Sequence, residues 1–252
     1  MRDGWLLAVG TLTALPVPPP RRVDRSTARV AVLVAPLAVL PLALGVVLVG
    51  ALGVAAETPP LVLAVLVVGL LALGTRAMHW DGLSDTVDGL SASYDAHRSL
   101  EVMKSGTSGP AGVLATVLVA GLQVAALSSM LHSIRGAFLA GALVCVSRGA
   151  LAVTCARGVP PARRDGLGQP LAEVSSPIAT ATLWSLCLVL VSVAFAWAGL
   201  PWWHGVLACL ATLVVLALLV QRTVRRFGGV TGDVYGTAIE LALATLLVAV
   251  VV

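Results

Sequence analysis

Long uninterrupted stretches of apolar residues alternate with short polar connections along this chain. Apolar runs near 29–52, 61–77, 110–130, 136–156, 180–199, 204–220 and 236–252 are each long enough as helices to approach or cross a hydrocarbon core about 30 Å thick. The pattern predicts an all-α polytopic membrane helical bundle of about seven transmembrane helices, a single domain over residues 1–252. An eighth apolar stretch, Trp5 to Leu15, is too short to span and ends at Pro16, Pro18, Pro19 and Pro20. It is predicted to be an interfacial or re-entrant segment, because proline cannot continue a helix. It makes a poor signal peptide: only Arg2 stands before it, against Asp3, and Arg21, Arg22, Arg25 and Arg29 follow.

Composition agrees. Hydrophobic residues make up 58% and charged residues 11% of the 252, against roughly 25% charged in soluble domains. The four cysteines, Cys145, Cys155, Cys187 and Cys209, lie in or at the end of predicted spans without Cys-x-x-Cys spacing. They read as small core residues, not as a zinc site or disulfide framework. Basic and aromatic residues are not interleaved in a patch, so no nucleic-acid partner is expected. Instead the basic residues report topology. With 21–29 in the cytoplasm, thirteen of the sixteen Lys and Arg residues fall on the cytoplasmic side, as the positive-inside rule requires. The same alternation brings most of the acidic residues to that face.

Against this background the stretch Met78-His-Trp-Asp-Gly-Leu-Ser-Asp-Thr-Val-Asp-Gly-Leu90 stands out. At 100° per residue, Asp81, Asp85 and Asp88 fall within about 60° of one helix face. Near a bilayer centre each would cost roughly 2.5–3.5 kcal/mol, so on the order of 10 kcal/mol must be offset by a cation, a partner or water. Residues 77–94 contain no Lys or Arg. Carboxylates without resident cations suit Mg²⁺, which binds one or two of them, keeps several waters and is completed by substrate phosphate. Phosphoryl transfer is the chemistry that follows. His79 faces the other way on a continuous helix, so a ligand role for it requires a bend or unwinding at Gly82.

Other polar groups are candidates with plainer alternatives. Lys104 opens Lys-Ser-Gly-Thr-Ser-Gly-Pro-Ala-Gly112, whose glycine amides and helix start could cradle a phosphate, or serve as an ordinary loop. Arg148 and Glu240 lie within apolar runs and must face protein or water; they form either a structural pair or an edge of the site. Arg163-Arg-Asp-Gly-Leu-Gly168 and Gly228-Gly-Val-Thr-Gly-Asp233 each combine glycines with one aspartate, Asp165 and Asp233; Asp233 could complete a metal or substrate site, or sit at a helix start and favour its dipole.

In order along the chain, His79-x-Asp-Gly-Leu-x-Asp-Thr-x-Asp-Gly89, Glu101-Val-Met-Lys104, Ser147-Arg-Gly149, Asp165-Gly-Leu-Gly168, Gly229-Val-Thr-Gly-Asp233 and Ala238-Ile-Glu-Leu241 resemble cobalamin synthase, the adenosylcobinamide-GDP ribazoletransferase family. The opening Thr13-Ala-Leu-Pro-Val-Pro18 is similar too. The chain departs from the family after Lys104, where Ser105-Gly106 stands in place of Asp-Ser. The resemblance implies a Mg²⁺-dependent enzyme of a bacterial or archaeal cytoplasmic membrane, with its site facing the cytoplasm. It would join adenosylcobinamide-GDP to α-ribazole or its 5′-phosphate and release GMP. Metal would sit on Asp81, Asp85, Asp88 and Asp233, with His79 or a carboxylate as base. Lys104 and Arg148 would contact phosphate, and Asp165, Gly232, Asp233 and Glu240 would line the substrate site. A second copy, or other membrane-bound enzymes of the cobalamin pathway, are the protein partners to expect. The rival functions are a CDP-alcohol or polyprenyl-type phosphotransferase and a secondary transporter.

Overall fold

The computed structural model describes residues 1–163, 166 and 168–251. Its helices are α1 (Arg2–Leu12), α2 (Arg25–Ala38), α3 (Leu40–Ala55), α4 (Pro60–Gly74), α5 (Met78–Ala92), α6 (Ala96–Lys104), α7 (Pro110–Met130), α8 (Ile134–Ser147), α9 (Ala150–Thr154), α10 (Pro177–Trp197), α11 (Trp202–Phe227) and α12 (Gly232–Val248). Among the described residues there are no strands, only two isolated bridges, so the all-α expectation holds. Among the described residues five helical stretches are long and apolar enough to cross a membrane, or six if the bent pair α4–α5 counts as one, against the seven or so expected.

The apolar runs become helices close to where expected, with informative exceptions. α2 and α3 form one stretch over Arg25–Ala55, broken at Val39 between Pro36 and Pro41, where ring nitrogens cannot donate to the preceding turn. Asp24 starts that stretch by accepting from the Thr27 N–H and the Ser26 hydroxyl, each at 2.8 Å. These bonds, the Thr27 amide first, hold its carboxyl down at about 2. α4 stops at Gly74, and the chain turns 88° into α5 through two left-handed residues, Arg76 and Ala77. The aspartate stretch is therefore a separate helix leaving the line of its span. The 11-residue α1 packs against α2; at about 16 Å it cannot span.

α12 is the pillar of the bundle. It packs on α5, α7, α8, α9 and α11, and nearly every residue from Val234 to Leu247 is buried. Without a hydrophobic drive between helices in lipid, small residues let backbones approach and so supply the packing. A Cβ on Gly82 would lie 2.6 Å from the Asp233 carbonyl oxygen, and one on Gly236 would lie 3.0 Å from the His79 Cα. α5 and α12 thus touch backbone to backbone. The Thr237 hydroxyl, on α12, donates to the Gly82 carbonyl at 2.9 Å.

The outer faces carry the opposite pattern. Leu48, Leu66, Leu118, Leu190 and Leu218 are exposed, as lipid-facing residues are. Trp197, Trp202 and Trp203 are also exposed at the α10–α11 turn, where Trp197 packs on Phe138 and under Arg135, an arrangement suited to a membrane interface. None of the four cysteines is bridged, and three are buried.

Candidate functional site

The polar end of the bundle is assembled by three local devices. First, the left-handed turn before α5 is pinned to α1, with the Arg76 guanidinium donating to the Gly10 carbonyl at 2.9 Å and the Ala14 N–H to the Gly74 carbonyl at 2.7 Å. Second, Gly228 in left-handed conformation ends α11, and a Cβ on Gly229 would fall 2.3 Å from the Pro160 carbonyl oxygen. Only glycine permits that contact. The 228–231 and 160–162 segments therefore pair, Val230 N–H to Pro160 and Ala162 N–H to Val230, both at 2.9 Å, which brings Arg163 to the start of α12. Third, Arg226 donates to the Ser93 carbonyl and covers the Tyr94 ring at 4.4 Å, anchoring the far end of α5.

On this scaffold Asp81 is exposed and Asp85 partly buried on α5, and Asp233 is partly buried at the first turn of α12. Burial pushes the Asp85 carboxyl up to about 6, with repulsion from Asp81, Asp233 and Asp88 adding to it and Arg163 opposing. Asp233 is raised as well, by burial first, against a hydrogen bond from the Thr231 hydroxyl and the charge of Arg163. That hydrogen bond is 3.1 Å long. The crossing of α5 and α12 has gathered like charges that a cation would relieve.

Asp88 is different. It is buried, and its two oxygens accept from the Gly109 N–H at 2.6 Å and the Gly112 N–H at 2.8 Å. A Cβ on either glycine would collide with the Asp88 carboxylate, at 2.6 Å and 2.3 Å. The amide cradle expected for a phosphate at 104–112 is therefore occupied at these two amides by the chain's own carboxylate, favourably placed at the start of α7. Lys104 is exposed in the last turn of α6.

Behind the open cluster lies a buried polar group. Helix α5 is continuous through Gly82, so His79 points away from the aspartates, with its Nδ1 3.5 Å from Glu240 Oε1. Glu240 Oε2 accepts from Gln123 Nε2 at 2.8 Å. Arg148 is fully buried at the break between α8 and α9 and donates to the Val144 carbonyl at 3.0 Å and the Ser147 hydroxyl at 2.8 Å. Among the described residues it makes no ion pair with Glu240 within 4.0 Å. Gly232 is exposed at the start of α12. Asp165 lies outside the described residues.

A cavity of about 450 Å³ adjoins the cluster, and Asp81, Asp233, His79, Arg163 and Tyr235 contribute to its wall. Sequence reasoning singled out neither Arg163 nor Gln123. Arg163 stood in a quoted motif, and Gln123 interrupts an apolar run, which is the signal that would have found it.

Among the described residues no three His, Cys, Asp or Glu side chains are placed to hold a metal ion as a ready cage. The donor set nonetheless fits Mg²⁺, which takes one or two carboxylates, keeps its waters and completes its shell with phosphate. Asp81, Asp85 and Asp233 are oxygen donors, mutually repelling and at least partly open to solvent. Asp88, with both oxygens engaged, has less capacity left.

Comparison with known proteins identifies the family. A family model described as cobalamin-5-phosphate synthase matches residues 4–251. An adenosylcobinamide-GDP ribazoletransferase from a Nocardioides species is 58% identical over 249 residues, covering 99% of this chain and 98% of that protein. Proteins of the same description from Frankia casuarinae and Pseudomonas paraeruginosa are each 38% identical, covering 94% and 97% of this chain and 90% and 96% of their own lengths. No solved structure matches.

Proposed function

We propose, from the premise that this chain belongs to the cobalamin-5-phosphate synthase family, that it is an adenosylcobinamide-GDP ribazoletransferase performing the final joining step of nucleotide-loop assembly. A hydroxyl oxygen of α-ribazole, or of its 5′-phosphate, forms a bond to the phosphorus nearer the cobinamide. The bond from that phosphorus to the bridging oxygen breaks, and GMP leaves with the electron pair. The observation that carries this is the glycine-mediated crossing of α5 and α12, which gathers Asp81, Asp85 and Asp233 beside a ligand-sized cavity.

One or two of Asp81, Asp85 and Asp233 would hold Mg²⁺, with Asp88 bracing α5 from the side. Bound there, the ion would neutralise the diphosphate and the charge developing on the leaving group. Arg163 and Lys104 add positive charge for phosphate oxygens. A carboxylate of the cluster takes the proton from the attacking hydroxyl, since His79 faces Glu240 on the other side of α5. The Glu240–Gln123 pair and Arg148 hold the elements behind the site. The site faces the cytoplasm of a bacterial inner membrane, where the basic connections converge.

Purified protein in detergent or nanodiscs, given adenosylcobinamide-GDP, tests this directly. Release of GMP that requires both α-ribazole and Mg²⁺ is expected. Release indifferent to ribazole would mark a hydrolase, and turnover undiminished by EDTA would refute the metal assignment.

A further inference from the structure

The cavity beside the carboxylates has a wall whose chemistry selects its occupant. It lies between the end of α1, the start of α5, α9, the turn at 168–171 and the start of α12, and its volume of about 450 Å³ falls within the range of pockets that hold small organic ligands. Leu12, Leu151, Leu171, Val230 and Ile239 supply an aliphatic lining. Asp81, Asp233 and Arg163 belong to the same wall, so the apolar chamber opens onto the carboxylate cluster.

Three of the polar groups inside it are committed to the protein itself, while Asp81, Asp233, Arg163 and Gln169 also belong to the wall. The Tyr235 hydroxyl donates to the Gly168 carbonyl at 3.1 Å, the Thr231 hydroxyl to Asp233 at 3.1 Å, and His79 Nδ1 faces Glu240. The turn carrying Gly168 is pressed onto α12, since a Cβ there would sit 2.7 Å from the Gly232 nitrogen.

Two parts of the reactants are small enough to enter, the guanosine of the donor and the acceptor nucleoside. The cobinamide, a corrin ring with its fringe of amides, is too large. A guanine edge carries a carbonyl, a ring N–H and an amino group, each of which must find a partner when it leaves water. A benzimidazole-type base offers a carbon edge and one basic nitrogen. The aliphatic part of the wall accommodates the second at lower cost than the first, and leaves Asp81 and Asp233 to the ribose hydroxyls.

We infer that this cavity is the acceptor subsite: it receives the planar, weakly polar base of the ribazole nucleoside against Leu12, Leu151, Leu171, Val230 and Ile239, and directs the ribose hydroxyls toward Asp81 and Asp233. This rests on the transferase function proposed above. Leu12 and Ile239, from α1 and α12, are then specificity-determining residues, because their bulk sets the width available to the base. The GMP half of the donor lies outside the chamber.

Steady-state kinetics of Ile239→Phe and Leu12→Phe provide the test. The acceptor KM for α-ribazole should rise at least tenfold in each while the donor KM stays within about twofold. A raised donor KM with an unchanged acceptor KM would give the cavity to guanosine and overturn the assignment, as would no change in either. Should the variants fold poorly, photolabelling of the wild-type protein decides. An azido-benzimidazole α-riboside should attach near residues 8–12, 151 or 230–239, and be displaced by α-ribazole but not by GMP. Attachment elsewhere, or displacement by GMP alone, overturns the subsite. Failure of the transferase function is separable from both, since it would appear as wild-type protein that releases no GMP in response to ribazole.

Discussion

The carboxylates at the polar end of this bundle divide into two regions with opposite economies of hydrogen bonding. Asp88 has an amide on each oxygen, and Glu240 has Gln123 on one oxygen and His79 near the other. Asp81 and Asp85, on the same helix as Asp88, accept no hydrogen bond among the described residues, and with Asp233 they repel one another. A buried charge whose lone pairs are filled holds helices in place; a carboxylate left open to solvent and crowded by like charge gains from a cation or substrate beside it. The difference separates scaffold from chemistry within two turns of one helix.

Breaking the open region should produce the largest effect. Asp81→Asn and Asp233→Asn should each lower kcat by a factor of about 10²–10³, the scale of losing one electrostatic contact to the transition state, with little change in thermal stability; GMP release and a melting curve on the same preparation check both. Breaking the saturated region should reverse the pattern. Asp88→Ala leaves the Gly109 and Gly112 amides without their acceptor and should cost about 2–4 kcal/mol of stability, read as a lowered Tm, with activity per folded molecule falling less than in the open cluster. Glu240→Gln keeps an acceptor for Gln123 and should cost about 1 kcal/mol or less, whereas Glu240→Leu should cost more by stranding Gln123 and His79.

The smallest effect sharpens the comparison through pH. Because Asp85 is raised to about 6 from an ordinary value near 3.8, its protonated form is favoured in the folded protein. Its contribution is fully present below about pH 4 and is lost as pH rises through about 6. In EDTA, melting scans of wild type against Asp85→Asn should therefore converge at low pH, with the variant the more stable above pH 6. Added Mg²⁺ should raise the wild-type Tm at pH 7–8 and leave the variant's largely unmoved.

Much of the bundle was legible in the sequence because membrane spans announce themselves by length and hydrophobicity. The run at 110–130 coincides with α7, and the short proline-ended segment is the non-spanning α1. The turn that detaches α5 from α4 was not legible, since Arg76 and Ala77 adopt left-handed conformations that neither residue type signals. Nor could spacing distinguish Asp85 from Asp88. Both lie on one helix face, and what separates them is a pair of glycines 21 and 24 residues further on. The Arg148–Glu240 pairing weighed from the sequence gives way to Glu240 with His79 and Gln123, because α5 presents His79 to α12 through the Gly236 contact. Such contacts depend on where two helices cross, which no single segment encodes.

The most direct measurement is the rate of ribazole-dependent GMP release by Asp85→Asn, expressed per folded molecule, beside Asp88→Asn prepared in the same way. An open cluster that carries the chemistry predicts a loss of about a thousandfold or more for Asp85→Asn with an undiminished Tm, and for Asp88→Asn a lowered Tm with the smaller loss of rate. Turnover by Asp85→Asn within tenfold of wild type would contradict it.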